Sequence, residues 1–206
     1  MTIDSENSLT IIKEKIFTLM QEKNKVLLAI DGRSGAGKST LAEKLAEEFF
    51  CPVIHMDDFF LRPHQKTKER LRAPGENVDH ERFLEEVILP LKEQRVFSYQ
   101  PFDCHAQDFK EPIVVEKSSL VMVEGSYSCH PKLWEYYDLH LFLDITPEEQ
   151  MKRIIRRNGE KTAKVFQEKW IPLEEKYFEY FKIKQKCDMV LEQKASKGGG
   201  SYNGKN

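Results

Sequence analysis

The stretch "VLLAIDGRSGAGKST", residues 26–40, decides the fold of this chain. It starts with a short apolar run, turns through three glycines, and passes into the pattern "LAEKLAEEFF" at residues 41–50. A short apolar run ended by a turn predicts a buried β-strand, whereas apolar residues repeating every three to four positions predict an amphipathic helix. The order of strand, glycine loop and helix is typical of an α/β fold.

The glycine loop matches the spacing G-x-x-x-x-G-K-[ST] without a mismatch. Glycines let consecutive backbone N–H groups turn inward around a phosphate, and the following helix directs its positive end at the same anion. In this motif the lysine contacts the β and γ phosphates and the hydroxyl ligates Mg²⁺. An ordinary glycine turn is the alternative. We expect ATP and Mg²⁺ as cofactors, and the expected nucleotide-binding residues are Gly32, Ser34, Gly35, Ala36, Gly37, Lys38, Ser39 and Thr40.

Further apolar segments alternate with helical patterns along the rest of the chain. The segments "PVIHM", "SLVMVEG", "DLHLFLDIT" and "DMVLE" predict strands, while "VFSYQPFD" and "EPIVVE" predict a hairpin. Strands that alternate with helices indicate a parallel sheet covered on both faces. We expect one domain over residues 1–193, and a disordered tail over residues 194–206 because that segment has no apolar face to bury.

The composition of the chain narrows the class of protein. Its 206 residues are 40% hydrophobic, and 32 basic against 34 acidic residues give a formal net charge of -2. This balance predicts neither a nucleic-acid nor a membrane partner. Four scattered cysteines, without C-x-x-C spacing, predict free thiols rather than a zinc site or disulfides. The start "MTIDSENS" lacks the features of a secretion signal, so we expect a cytoplasmic protein.

Acidic residues end two of the predicted strands. Glu124 follows "VMV", and Asp57 and Asp58 follow "VIHM". The carboxyl ends of parallel strands share one edge of the sheet, where ligands bind in open α/β folds. Glu124 is therefore a candidate Mg²⁺ ligand, with a plain strand-end residue as the alternative. Transfer of phosphate to an alcohol needs a carboxylate that accepts the hydroxyl proton, and Asp57 or Asp58 could supply it, unless both only form a turn.

The order of these motifs resembles the uridine kinase and phosphoribulokinase family of P-loop kinases. The resemblance rests on "GRSGAGKS", "DDFF" one strand later, "NVDHERF", "VMVEG", and an arginine-bearing helix after "LFLDIT", and it covers roughly residues 25–192. It implies a three-layer α/β/α sandwich with the parallel strands in the order 2-3-1-4-5. It also implies an acceptor-side insertion at about 59–112, a short lid at about 153–165, and ATP-dependent phosphorylation of a small-molecule hydroxyl.

The same resemblance assigns roles to individual residues. It places the general base at Asp57 and a contact to acceptor hydroxyls at Asp79, which also reads as a helix cap. The lid helix "KRIIRRNG" would bring Arg153 and Arg157 to the transferring phosphate and Arg156 to the substrate. A solvated, cationic end of this helix, expected to close at Gly159, is the alternative for these arginines.

One departure from the family pattern concerns the acceptor. Uridine kinases carry Y-D-F-x-x-H, whereas this chain has "YQPFDCH", with His105 two positions too early. His105 is thus either an acceptor contact or a surface histidine. A nucleoside is the acceptor we expect, with pantothenate, a sugar phosphate or glycerate as alternatives, and the basic excursion "RPHQKTKERLR" could serve an acidic acceptor or be a solvated loop.

Two other classes of nucleotide-binding protein, guanine-nucleotide switches and transporter ATPases, carry sequence signatures that can be looked for in this chain. The N-K-x-D base reader of guanine-nucleotide switches and the L-S-G-G-Q signature of transporter ATPases do not occur in the sequence. A regulator that hydrolyses ATP slowly and answers to a protein partner remains the competing hypothesis. A homo-oligomer and a preference for GTP also stay open.

Overall fold

A computed structural model describes residues 5–193, with side chains from residue 7 onward. Residues 1–4 and the tail predicted at 194–206 lie outside the described part. The strands are β1 (Val26–Gly32), β2 (Val53–His55), β3 (Phe97–Tyr99), β4 (Phe102–Asp103), β5 (Asp108–Phe109), β6 (Ile113–Val115), β7 (Leu120–Glu124), β8 (Leu139–Ile145) and β9 (Met189–Gln193).

Helices occupy most of the remaining chain. The α-helices are α1 (Ser5–Glu22), α2 (Lys38–Phe49), α3 (Lys68–Arg72), α4 (His80–Phe83), α5 (Leu89–Lys92), α6 (Pro147–Val165), α7 (Ile171–Phe181) and α8 (Ile183–Lys186). Turns of π-helix at Leu84–Ile88 and Phe166–Trp170 join α4 to α5 and α6 to α7. Short 3₁₀ turns lie at Met56–Phe59, Pro63–Gln65 and Trp134–Tyr136.

The central sheet has five parallel strands in the order β2-β7-β1-β8-β9. Counted among themselves along the chain, these strands run 2-3-1-4-5, so the implied order is confirmed. Every residue of β1, β7 and β8 is buried, because helices cover both faces of the sheet. The register pairs Ile30 with Glu124 and His55 with Glu124, which brings the strand ends and their polar side chains to one edge.

Two apolar cores lie on opposite faces of the sheet and confirm the three-layer α/β/α architecture. On one face, α1 and α2 bury Ile12, Ile16 and Leu45. On the other face, Phe83 and Tyr177 pack against the sheet. Full burial of side chains of this size contributes roughly 1.5–3 kcal/mol each, which fixes the helices that carry the polar residues described below.

The predicted hairpin and the predicted lid helix are present with differences. Strands β3 and β6 pair antiparallel, and β4 and β5 extend the same hairpin. Helix α6 begins with Thr146 as its cap, but it does not end at Gly159. That glycine interrupts the helix with φ 77° and ψ 165°, and helical turns resume as far as Val165. A glycine can take this conformation without a side-chain clash, so the chain bends there and continues.

Within residues 5–193, no helix is both long and apolar enough to span a bilayer.

Candidate active site

The glycine loop leaves the sheet through a position that only glycine can occupy. Gly32 has φ 132°, and a Cβ atom built on it would lie 2.1 Å from the carbonyl oxygen of Leu143 in β8. Such a contact is far inside van der Waals distance and involves backbone, which cannot yield easily. The tight passage between β1 and β8 therefore sets the direction in which the loop enters α2.

The loop presents a series of unused backbone donors. Within the described chain, the amide N–H groups of Gly35, Gly37, Lys38, Ser39 and Thr40 make no hydrogen bond. Unpaired N–H groups around a helix N-terminus form an anion site, since both the donors and the helix dipole favour negative charge. A Cβ atom built on Gly37 would meet nothing within 4 Å, so the space in front of these donors is open. The arrangement fits the phosphates of a nucleotide.

Lys38 lies along the inside of this loop. Its side chain is buried, and Nζ donates to the carbonyl oxygens of Gly32 at 2.7 Å and Arg33 at 3.2 Å. The ammonium group is also 3.4 Å from Oγ of Ser126. Its positive charge is thus held at the loop by neutral oxygens, where it can meet an anion.

The two predicted metal ligands are in direct contact. Oγ of Ser39 donates to Oε1 of Glu124 at 3.1 Å, and Nδ1 of His55 lies 2.6 Å from the same oxygen. The hydrogen bond from His55 to this carboxylate raises the pKa of the histidine. Hydroxyl and carboxylate oxygens are the ligands that Mg²⁺ prefers, so the pair fits a Mg²⁺ ion bound together with phosphates. His55 was not singled out in the sequence.

Asp57 carries a carboxylate without a partner. It is exposed to solvent and yet surrounded by protein atoms on most sides, as on the floor of an open cleft, and it makes no hydrogen bond within the described chain. This burial raises its pKa, and the charges of Glu124 and Glu174 act in the same direction while Lys38 opposes them. Its Oδ1 is 3.6 Å from the point where a Cβ atom would stand on Gly125. The carboxylate therefore lies beside the metal-ligand pair.

Asp58 accepts hydrogen bonds from two other segments of the chain. Its Oδ2 accepts a hydrogen bond from the hydroxyl of Tyr99 at 3.1 Å, and its carbonyl oxygen accepts one from Nη2 of Arg82 at 2.6 Å. Of the two adjacent aspartates, Asp58 has one carboxylate oxygen bound by Tyr99, whereas neither oxygen of Asp57 has a hydrogen-bond partner within the described chain.

Asp79 is a helix cap, as predicted, and both of its carboxylate oxygens are occupied. Oδ1 accepts from the backbone N–H of Arg82 at 3.1 Å, and Oδ2 accepts from Nε2 of Gln65 at 2.7 Å. Nη2 of Arg62 lies 3.5 Å from Oδ2. Asp79 borders a cavity of about 560 Å³, whose walls also include Arg62, Gln65, Arg70, Arg82, Gln100 and Phe109.

The predicted arginines and His105 lie in different surroundings. Nη1 of Arg153 donates to the carbonyl oxygen of Gly35 at 3.3 Å, so this arginine touches the glycine loop. Arg156 and Arg157 are exposed, and Nε of Arg157 donates to its neighbour Asn158. His105 is exposed in the turn between β4 and β5 and does not border the cavity.

A buried aspartate that the sequence analysis did not single out lies under the loop. Asp31 is fully buried and accepts hydrogen bonds from the N–H groups of Gly32, Tyr127 and Cys129 and from the hydroxyl of Tyr177, all between 2.7 and 3.2 Å. Burial raises its pKa to about 6 despite these donors. An acid at the end of an apolar strand was the only signal in the sequence. Its partners come from distant segments.

Two acids of α7 also reach the loop, and the sequence analysis did not single out either of them. Glu174 accepts from the N–H and the hydroxyl of Ser34 and from the hydroxyl of Ser126. Glu175 binds the guanidinium group of Arg33 through both oxygens, at 2.6 and 2.8 Å.

A second polar cluster lies on the acceptor side. The candidate ligand atoms of Glu76, His80 and His130 are within 4.8 Å of one another. However, Nδ1 of His130 accepts from the backbone N–H of Lys132, the two imidazole rings are stacked 4.5 Å apart, and Nζ of Lys132 is 3.3 Å from Nε2 of His80. Stacked rings do not aim their lone pairs at one point, and the ammonium already supplies a positive charge. The cluster is a hydrogen-bonded network.

Comparison with known proteins agrees with this geometry. The sequence model of the "Phosphoribulokinase / Uridine kinase family" matches residues 27–196. A uridine kinase of Bacillus subtilis (strain 168) is 29% identical over 146 residues, which span 66% of this chain and 66% of that protein. A uridine kinase of Mycoplasma pneumoniae is 24% identical over 187 residues, or 84% of this chain and 87% of that protein.

Solved structures share the fold at low sequence identity. The structure of a possible uridine kinase from Bacillus stearothermophilus has a TM-score of 0.60 and 19% identity, covering 87% of this chain and 98% of that one. A putative fructose transport system kinase from Silicibacter sp. TM1040 has a TM-score of 0.65 and 18% identity, covering 88% and 98%. At these identities the likeness shows the fold.

Proposed function

The chain belongs to the phosphoribulokinase and uridine kinase family of P-loop small-molecule kinases, and we propose that it transfers the terminal phosphate of ATP to a hydroxyl of a nucleoside. The observation that carries the proposal is the placement of Asp57. Its carboxylate makes no hydrogen bond within the described chain, and its Oδ1 is 3.6 Å from the point where a Cβ atom would stand on Gly125, the residue after Glu124. A free carboxylate next to the proposed metal ligands suits phosphoryl transfer to an alcohol.

Each residue of the site then has one task. Asp57 orients the acceptor hydroxyl and accepts its proton, while Lys38 and the loop amides hold the phosphates. Ser39 and Glu124 would hold Mg²⁺, which supplies positive charge to the phosphate oxygens when it is bound. Arg153, already at the loop, stabilises charge on the transferred group. Arg157 would contact the transferring phosphate, and Arg156 the substrate, only after the helix beyond Arg153 moves, because both side chains are exposed to solvent.

The acceptor residues are proposed with a condition. Asp79 is buried and Gln65 donates to its Oδ2, so we propose that an acceptor hydroxyl reaches this oxygen when the side chain of Gln65 shifts. His105 would need the hairpin turn to close over the cleft. We propose that Asp79 and His105 contact the acceptor only after it binds.

We also propose that the protein is cytoplasmic. Its four cysteines are free thiols.

An acceptor with a negative charge is the second candidate, and the basic excursion favours it. The bridge between Phe60 and Val78 closes the ends of this excursion beside Asp57 and Asp79. Within it, Arg62 and Arg70 border the cavity and pair with Asp79 and Glu81, whereas Nζ of Lys66 makes no hydrogen bond or ion pair within the described chain. Such cations suit a phosphate or carboxylate group, as in a sugar phosphate, pantothenate or glycerate.

A screen for ADP release tests the proposal. Purified protein with Mg²⁺ is mixed with ATP or GTP and with nucleosides, vitamins, sugar phosphates or glycerate in turn. A kinase produces ADP quickly only with its acceptor, and a phosphorylated nucleoside as product supports the first candidate. ADP release that no acceptor stimulates but a protein partner does would instead favour a nucleotide-binding regulator.

A further inference from the structure

We propose that Glu174 is a positioning residue of the nucleotide site: it fixes the shape of the glycine loop and the place of Lys38. This inference rests on the proposed nucleotide binding but not on the identity of the acceptor. Glu174 comes from α7, 140 residues beyond the loop residue that it contacts. It does not match any of the motifs on which the family resemblance rests.

The contacts of Glu174 are complete and are made to neutral groups. Its side chain is only 4% exposed. Oε2 accepts from the backbone N–H of Ser34 at 3.1 Å, and Oε1 accepts from the hydroxyls of Ser34 at 2.5 Å and Ser126 at 2.8 Å. A buried carboxylate without a directly paired cation is costly to retain, so these three donors must be held firmly to stabilise it.

The first consequence concerns the loop backbone. The N–H groups before the open donors are each bound by protein: that of Gly32 by Asp31, that of Arg33 by Leu143, and that of Ser34 by Glu174. Glu174 thereby fixes the peptide group between Arg33 and Ser34, one residue before Gly35. Because the following amides are left to the phosphates, the orientation of this peptide decides whether they converge on one anion.

The second consequence concerns Lys38. The hydroxyl of Ser126 has a single proton, and it donates that proton to Glu174. The lone pairs of the hydroxyl oxygen are then left to face Nζ of Lys38, 3.4 Å away. Glu174 therefore sets the orientation of the group that helps to hold the phosphate-binding ammonium in place.

The adjacent residue provides a matched control. Glu175 also links α7 to the loop, but it pairs with the side chain of Arg33 at the protein surface, where both partners are about a quarter exposed. Replacing Glu175 removes an ion pair of similar chain position and charge without freeing a loop amide or the Ser126 hydroxyl. Arg33 keeps its ion pair with Asp144 when Glu175 is replaced, so this residue of the loop stays anchored in the control variant.

The test measures ATP affinity by calorimetry for the wild type, Glu174→Gln and Glu175→Gln, without an acceptor. We expect Glu174→Gln to weaken ATP and ADP binding about tenfold, with kcat changed less than KM for ATP, and Glu175→Gln to change affinity less than about threefold. The midpoint of thermal unfolding without nucleotide separates a positioning role from a general loss of structure. Equal loss of affinity in both variants, or unchanged affinity in Glu174→Gln, overturns the proposal.

Ser126→Ala by itself keeps the proposal testable if Glu174→Gln folds poorly, and where both variants fold, a double-mutant cycle tests whether the two residues act together. Ser126→Ala alone removes the contact to Lys38 and should weaken ATP binding by a few fold, and its effect should be smaller in the Glu174→Gln background because the two residues act together. Independent, additive losses contradict the proposal. If the wild-type protein binds no ATP, the proposed function is wrong as well. If the wild type binds ATP and the variants bind it equally well, only the proposed role of Glu174 is wrong.

Discussion

Different parts of the chain build the proposed nucleotide side and the proposed acceptor side, between which we expect Asp57 to act. On the nucleotide side, consecutive residues of one loop present backbone N–H groups, and Gly32 fits because it has no side chain. On the acceptor side, side chains from separate segments meet. Backbone binding of a phosphate depends on local geometry, whereas recognition of an acceptor depends on groups that only the fold brings together.

Arg82 shows how the acceptor side is assembled. Its guanidinium group donates to the carbonyl oxygens of Asp58 at 2.6 Å and Gln100 at 2.8 Å, and its Cζ lies 4.2 Å from the centre of the Phe59 ring. One buried arginine thus joins the turn that carries Asp57, the helix capped by Asp79, and the hairpin. In the proposed site, phosphate binding would therefore depend mainly on backbone groups, and acceptor choice on a network of side chains.

The largest effect is expected at the backbone of the nucleotide side. Gly32→Ala places a methyl group in contact with the Leu143 carbonyl, so we expect a loss of more than about 3 kcal/mol in the free energy of unfolding and no detectable ATP binding. Urea unfolding and calorimetry measure both. Gly159→Ala is the control, because its φ is also positive but its surroundings are open, and it should cost about 1 kcal/mol. Similar losses in the two variants would show that φ, not the clash, matters.

The next largest effect is expected where the two sides meet. Asp57→Asn removes the proton acceptor and should lower kcat by about 10²–10⁴, with ATP affinity nearly unchanged. Asp58→Asn, the adjacent control, should mainly affect stability because that residue binds Tyr99. Steady-state kinetics with the acceptor from the screen compares them. Unchanged turnover in Asp57→Asn would remove this residue from the mechanism.

The pH dependence of kcat is a second test of Asp57 as the general base. A general base must be unprotonated, so activity should fall as the pH drops through the pKa of Asp57. Because burial raises this pKa, the fall should come at a higher pH than for an ordinary aspartate. The pH profile of kcat for the wild type measures the pH of this fall. The remaining activity of Asp57→Asn should not show the same decrease at low pH. If the decrease at low pH persists in Asp57→Asn, it is caused by the titration of another group.

A moderate effect is expected from the acceptor-side network. Arg82→Leu leaves the partly buried carbonyl oxygens of Asp58 and Gln100 without this donor, so we expect a loss of about 1–3 kcal/mol in stability and an increase of about tenfold or more in KM for the acceptor. ATP affinity should stay within about twofold. Arg95→Leu, at an exposed arginine of the same region, is the control. Loss of ATP affinity in Arg82→Leu would show that the two sides are one unit.

The smallest effect is expected from a single contact of that network. Tyr99→Phe removes one hydrogen bond to Asp58 and should reduce the free energy of unfolding by about 1–2 kcal/mol, with a change of a few fold in KM for the acceptor. Denaturant unfolding and kinetics measure these quantities. A drop in kcat as large as that of Asp57→Asn would instead assign the proton acceptor to Asp58.

Residues near each other in sequence were the ones that sequence analysis could place. The glycine loop is contiguous, so spacing alone identified it. Asp57 and Glu124 were found because parallel strands end at one edge of a sheet, and the structure brings both to that edge. The resemblance to a family supplied the strand order. Glu174 and Arg82 gave no signal, since a glutamate or arginine in an amphipathic helix usually faces solvent.

By itself, the sequence determined the α/β class, the phosphate loop and the acids at the strand ends, because local periodicity and short motifs encode these features. Only the tertiary structure decided that Asp57 is free while Asp58 and Asp79 are occupied, that Arg153 touches the loop while Arg157 does not, and that α7 binds Ser34. Such pairings join groups up to 140 residues apart, and the packing of helices against the sheet sets them.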